Sequence, residues 1–217
     1  MRGFEQLSDI KNIRINWNGL KIIKEGFLDS FPNVKMISLD QNHLKIRRVF
    51  STCIKLEVLT IRTNRIMDIE SNAFDNMTNL RELDLGFNNS ESIPDSINNL
   101  KSLTTLTLHY NRLKSISPYF FSSLNKLQIF DLLGNQLRTI TPNTFNGLQS
   151  LEDLNLENNI LTNLDLQTVL SDLKSLKTIK LSNNSFTCED LKYFIEVMKS
   201  KGINSFGLRC KNNENKL

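Results

Sequence analysis

Histidine, cysteine and glycine are scarce in this chain, and each shortage removes a class of function. Two histidines, His43 and His109, lie far apart in 217 residues, too few and too dispersed for a convergent metal site. The 8 glycines form no phosphate-cradling loop. No apolar run approaches 18 residues, so no segment is expected to span a membrane. No signal peptide is visible. Charge of neither sign dominates: 27 Lys and Arg against 23 Asp and Glu leave a net +4, scattered along the chain, which argues against nucleic acid as a partner. No cofactor is implied.

What is abundant is repetition. Asn18, Asn42, Asn64, Asn88, Asn111, Asn135, Asn159 and Asn184 recur about every 24 residues. Eight places before each lies Ile10, Val34, Leu56, Leu80, Leu103, Leu127, Leu151 or Leu176, the start of the unit. Three past the start come Ile13, Ile37, Leu59, Leu83, Leu106, Phe130, Leu154 and Ile179. Five past it come Ile15, Leu39, Ile61, Leu85, Leu108, Leu132, Leu156 and Leu181. An LxxLxLxxN frame filled in eight copies predicts an α/β repeat, a leucine-rich-repeat solenoid with a concave parallel β-sheet. Positions three and five share one face of a strand, and stacking units buries that face. Eight strands give a sheet about 34 Å across. Each ladder Asn carries a donor and an acceptor and can bridge successive coils.

The return path has its own apolar slots. Six before each start stand Phe4, Leu28, Phe50, Phe74, Ile97, Phe121, Phe145 and Leu170. Three before it stand Leu7, Phe31, Cys53, Met77, Leu100, Leu124, Leu148 and Leu173. Pro94, Pro118 and Pro142 fall in turns, where a missing N–H does little harm. The solenoid is expected over residues 1–186, starting mid-repeat without a Cys-bearing N-terminal cap, so that upstream sequence or a partner covers that end.

The end differs in character. Thr187 and Asp190 form a helix-start box, and Leu191, Phe194, Ile195 and Met198 mark one apolar stripe. Lys199 and Lys201 crowd its end and Gly202 stops it. Residues 187–210 are therefore expected to be a helical cap, closed by a Cys188–Cys210 disulfide in an oxidising compartment, and 211–217 a polar tail. Two free thiols in a cytosolic cap are the alternative. Cys53 fits a buried thiol acting as a small hydrophobe.

Positions two, four, six and seven past each start are free of core duty and should line the concave face. They place Trp17, Phe87 and Tyr110 outward with Ile129 and Leu133, among Glu82, Asp84, Asp131, Asp153 and Glu157. An apolar centre rimmed by charge is the anatomy of a recognition patch. The ligand-binding candidates are Asp84, Phe87, His109, Tyr110, Ile129, Asp131, Leu133, Glu157 and Trp17; the bland alternative is a solvated edge with its aromatics lying flat. A catalytic Thr107–His109–Asp131 arrangement is set aside, because nothing resembles an oxyanion hole and an open sheet excludes no water. Calcium at Asp131, Asp153 and Glu157 lacks any known loop pattern. Among three N-x-S/T sequons, Asn88 is taken up by the ladder and Asn183 borders the sheet. Asn76 is the glycosylation candidate.

The complete motifs, Phe-rich return arms and Cys-flanked cap resemble the extracellular, typical class of leucine-rich-repeat proteins. That class includes Toll-type receptor ectodomains. The run Thr187–Cys188–Glu189–Asp190–Leu191 leading to Cys210 is similar to the cap of insect secreted leucine-rich-repeat immune proteins. The resemblance implies a secreted, non-enzymatic innate-immune scaffold that takes a protein or glycan ligand on the concave face, without direct membrane insertion and open to homo- or hetero-oligomers. A membrane-anchored receptor or adhesion ectodomain and a cytosolic enzyme inhibitor or adaptor are the alternatives.

Overall fold

The computed structural model describes residues 5–46 and 48–208. Phe4, Cys210 and the 211–217 tail, named above, lie outside them. One parallel sheet runs in sequence order through β1 (Asn12–Arg14), β2 (Met36–Ser38), β3 (Val58–Thr60), β4 (Glu82–Asp84), β5 (Thr105–Thr107), β6 (Ile129–Asp131), β7 (Asp153–Asn155), β8 (Thr178–Lys180) and β9 (Asn204–Ser205). Nine strands replace the expected eight, because the chain leaving the cap pairs Thr178 with Asn204 and Ile179 with Ser205. The register elsewhere is the predicted one: Leu83 faces Leu106, and Leu106 faces Phe130.

Burial follows the frame. From the second repeat on, the residues at the start and at positions three and five past it are buried, Leu85, Leu108 and Leu132 among them. The return arms pack their phenylalanines against the strands: Phe121 meets Phe130 of β6 edge-on at 4.9 Å, and Phe130 meets Phe145 at 6.4 Å. Edge-to-face pairing fits the ring quadrupoles and adds to the area buried. Cys53 is buried in its leucine slot and free.

The ladder is visible atom by atom. Asn88 Oδ1 accepts from Asn64 N (2.9 Å) and Ile66 N (3.0 Å), while its Nδ2 donates to Ile61 O and Leu85 O, both at 2.9 Å. One amide thus satisfies backbone groups in two coils. Each position-five carbonyl is shared: Leu85 O also takes Asn111 Nδ2 at 3.0 Å. Asn18 departs from the pattern. It is exposed, and its Nδ2 donates to Asn16 O within its own repeat.

The seventh return arm forms α1 (Leu166–Asp172), which the repeat pattern did not foresee. This 25-residue unit is the longest, and Asp165 caps the helix by accepting from Thr168 N at 3.1 Å. The predicted cap helix is α2 (Cys188–Ser200). Thr187 and Asp190 form the full reciprocal box, Leu191, Phe194 and Met198 are buried, and Ile195 is half-buried.

Asn111→Ala removes the acceptor for Ser90 N and leaves Leu85 O and Leu108 O with one amide partner each. Urea denaturation is expected to register a loss of about 2–3 kcal/mol. Asn88→Ala strands two backbone donors and should cost more, about 3–5 kcal/mol, whereas exposed Asn18→Ala should stay within about 0.5 kcal/mol.

Candidate functional site

The middle of the concave face is built by four strands, β4 to β7. Leucines at positions three and five point into the stack, so the intervening side chains must point out. Position seven does something the repeat alone does not predict. Trp17, Gln41, Thr63, Phe87, Tyr110, Gly134, Asn158 and Asn183 all have positive φ, between 50° and 69°. This position is the left-handed turn that begins the exit from the strand rather than a fourth outward sheet position. A residue with a Cβ pays roughly 1–2 kcal/mol there, so Phe87 and Tyr110 are held against local preference.

Those two rings stack on each other at 4.7 Å and 19°. They remain 45% and 42% exposed, while His109 is driven beneath them, edge-on to both at 4.8 and 5.7 Å. Two glycines make the arrangement fit. A Cβ on Gly86 would stand 2.5 Å from His109 Nε2, and one on Gly134 would stand 2.5 Å from Tyr110 Cδ1. The His109 side chain is 12% exposed, and its buried Nδ1 lies 3.2 Å from Asp131 Oδ2 without a hydrogen bond. His109 is thus largely covered and stands as a wedge beneath the aromatic pair. Its Nε2 faces Gly86, which also leaves no relay to Thr107.

The acids have a structural duty that sequence reasoning missed. Asp84 Oδ1 accepts from Gly86 N (2.8 Å), Asp131 Oδ1 from Leu133 N (3.0 Å), and Asn155 Oδ1 from Glu157 N (3.1 Å). A short carboxylate or amide at position four caps the N–H at position six. The recurrence of Asp or Asn at position four was the available signal. The second oxygen of Asp84 meets Arg62 Nε at 3.4 Å, and the Arg62 guanidinium lies 5.9 Å from the centre of the Phe87 ring. Burial pushes the Asp84 carboxyl up from its ordinary value, opposed by the Gly86 N–H, Arg62 and His109 and reinforced by Asp40.

Beside this cluster, Ile129 is 46% exposed and Leu133 and Glu157 are half-buried. Trp17 is 76% exposed but sits beside β1, three strands from β4, and is not part of the cluster. Asn88 is buried by the ladder; Asn183 and Asn76 are exposed, Asn76 in a return turn. Among the described residues no group of three or more potential metal ligands converges, and no helix is long and apolar enough to cross a membrane. Cys188 opens α2.

Comparisons with known proteins agree with the repeat fold. The leucine-rich-repeat family profile matches residues 54–113 and 101–161. Lumican of Rattus norvegicus, an extracellular protein, is 32% identical over 59% of this chain and 53% of its own length. Toll-like receptor 7 of Drosophila melanogaster is 32% identical over 39% of this chain and 6% of the receptor. The structure of TLR13 in complex with ssRNA13 superposes with a TM-score of 0.72 at 26% identity, over 86% of this chain and 31% of that one. The chain thus spans about half the length of lumican and far less of the receptors.

Gly86→Ala should cost about 1–3 kcal/mol and alter the near-ultraviolet signal of Tyr110; the penalty should shrink when combined with His109→Ala, measured as a double-mutant cycle. Because the Asp84 carboxyl is raised in the fold, its ionised form opposes folding, and that cost sets in as pH rises from the unfolded-state value through the folded one. Asp84→Asn keeps the cap on Gly86 N. Urea melts should find it at least as stable as wild type at pH 7, with the advantage vanishing near pH 3; a clear loss at pH 7 would mean the Arg62 pair outweighs burial.

Proposed function

We propose that this leucine-rich-repeat solenoid is a secreted, non-enzymatic recognition scaffold of innate immunity, binding a protein ligand at the middle of its concave sheet. The observation that carries this reading is the Phe87–Tyr110 pair, stacked and nearly half exposed although the core has no need of it. Two large rings in the left-handed region, propped by His109 and admitted by Gly86 and Gly134, form a rigid apolar anchor with little rotamer entropy left to lose. Ile129 and Leu133 extend it, Asp84, Asp131 and Glu157 edge it, and Trp17 offers a separate contact at the far end of the sheet. The repeat scaffold, and relatives that include receptors and secreted proteoglycans, support an interaction role.

Secretion carries two further proposals. One is a Cys188–Cys210 disulfide closing the cap, supported by the place of Cys188 at the start of α2 and by Cys53, which is free and buried in the core. The other is a glycan on exposed Asn76. The likeness to Toll-like receptor 7 favours a membrane-anchored ectodomain as the second reading.

Capture from the extracellular fluid of the source organism tests the binding claim. Wild-type protein should retain a partner that the Phe87→Asn/Tyr110→Asn variant loses; asparagine tolerates the left-handed backbone, so the fold is kept. Equal capture by both proteins would move the site elsewhere. Thiol titration tests the compartment. Burial raises the Cys53 thiol from 9.0 to about 11, so native protein should show no reactive thiol. Denatured, unreduced protein should show one; three would favour the cytosolic alternative.

A further inference from the structure

The chain as a whole is net positive, yet the middle of its concave face is not. On β4 to β7, positions two, four, six and seven past each start carry five carboxylates, Glu82, Asp84, Asp131, Asp153 and Glu157, and no Lys or Arg. The cations of the face stand at its ends, Arg14 and Arg62 on one side and Lys180 on the other. Arg62 already serves Asp84, and the cations past the ladder asparagines, such as Arg112 and Lys114, belong to the turns beyond the sheet. Glu82, Asp153 and Glu157 have no ion-pair partner among the described residues.

These unmatched carboxylates adjoin the apolar anchor. Asp153 is the register neighbour of exposed Ile129, and Glu157 follows β7 as Leu133 follows β6. The anchor also shows which cation chemistry it accepts, since the Arg62 guanidinium rests near the Phe87 ring on the β3 side. On the β7 side, next to Tyr110 and Leu133, the outward positions hold Asp153 and Glu157, and among the described residues no cation lies over a ring there.

Resting on the concave-face reading above, we infer that the partner is a basic protein segment. It places an aliphatic or aromatic side chain on Phe87, Tyr110 and Ile129, and a neighbouring Lys or Arg against Asp153 and Glu157. A polyanion is repelled by the same five carboxylates. Asp153 and Glu157 are half-buried and unpaired among the described residues, so they meet a cation without breaking an internal ion pair, and the charge steers association and selects the partner.

A random peptide library displayed on phage and panned against the full chain tests this. Enriched peptides should combine Lys or Arg with an adjacent apolar residue. Their affinity should fall at least tenfold for Tyr110→Asn and for Asp153→Lys/Glu157→Lys, and the charge-reversed variant should lose the salt dependence that wild type shows. Among the described residues the side chains of Asp153 and Glu157 make no ion pair, so circular dichroism of that variant should match wild type. Acidic or uncharged winners that still need Tyr110, or basic winners indifferent to the charge reversal, overturn the inference and leave the concave site standing. Winners indifferent to Tyr110→Asn, or a library with no Tyr110-dependent winner, remove both. A single-stranded RNA probe that binds wild type in a Tyr110-dependent way overturns the basic-segment assignment in favour of nucleic acid.

Discussion

A side-chain amide that joins two coils is the constraint on which everything else in this molecule depends. Parallel strands of three residues cannot satisfy the backbone where the chain leaves the sheet, and each ladder Asn from Asn42 to Asn184 does so by donating to two carbonyls and accepting from the preceding coil. Buried polar groups without partners are costly, so the position tolerates little else. Once the amide is fixed, the parity of the strand is fixed with it. Leu85, Leu108 and Leu132 go inward, and Asp84, Asp131 and Leu133 go outward. The outward face of the sheet is what the ladder leaves free.

The frame of the fold could be read from the chain because its determinants are periodic and local. Strand positions, register, the return-arm core and the Thr187–Asp190 box follow from residue type and spacing, and the atoms stand accordingly. What was not legible depends on pairs of residues in different coils or on backbone conformation. The ninth strand needs the turn after α2 to return to the sheet, and no repeat motif marks Asn204–Ser205. Helix α1 arises from an added residue and an Asp cap, a small departure inside a regular beat.

The site divides along the same line. That Phe87, Tyr110 and Ile129 are exposed follows from strand parity and turn position. That His109 is a largely covered prop follows from Gly86 in the neighbouring coil, whose missing Cβ makes room for the imidazole. Asp84 and Asp131 look like ligand contacts in sequence, yet each commits one oxygen to the backbone two residues on. Their remaining oxygens face Arg62 and His109. The carboxylates free for a partner are Glu82, Asp153 and Glu157, of which only Glu157 was singled out as a contact by sequence reading.

The account is tested most directly by hydroxyl-radical footprinting of the protein alone and bound to its captured partner. Phe87, Tyr110 and Ile129 should lose reactivity on binding, while Met67 and Tyr119, exposed at 61% and 56% away from the sheet, should not change. Protection of Met67 or Tyr119 with Phe87 and Tyr110 unaltered would contradict it.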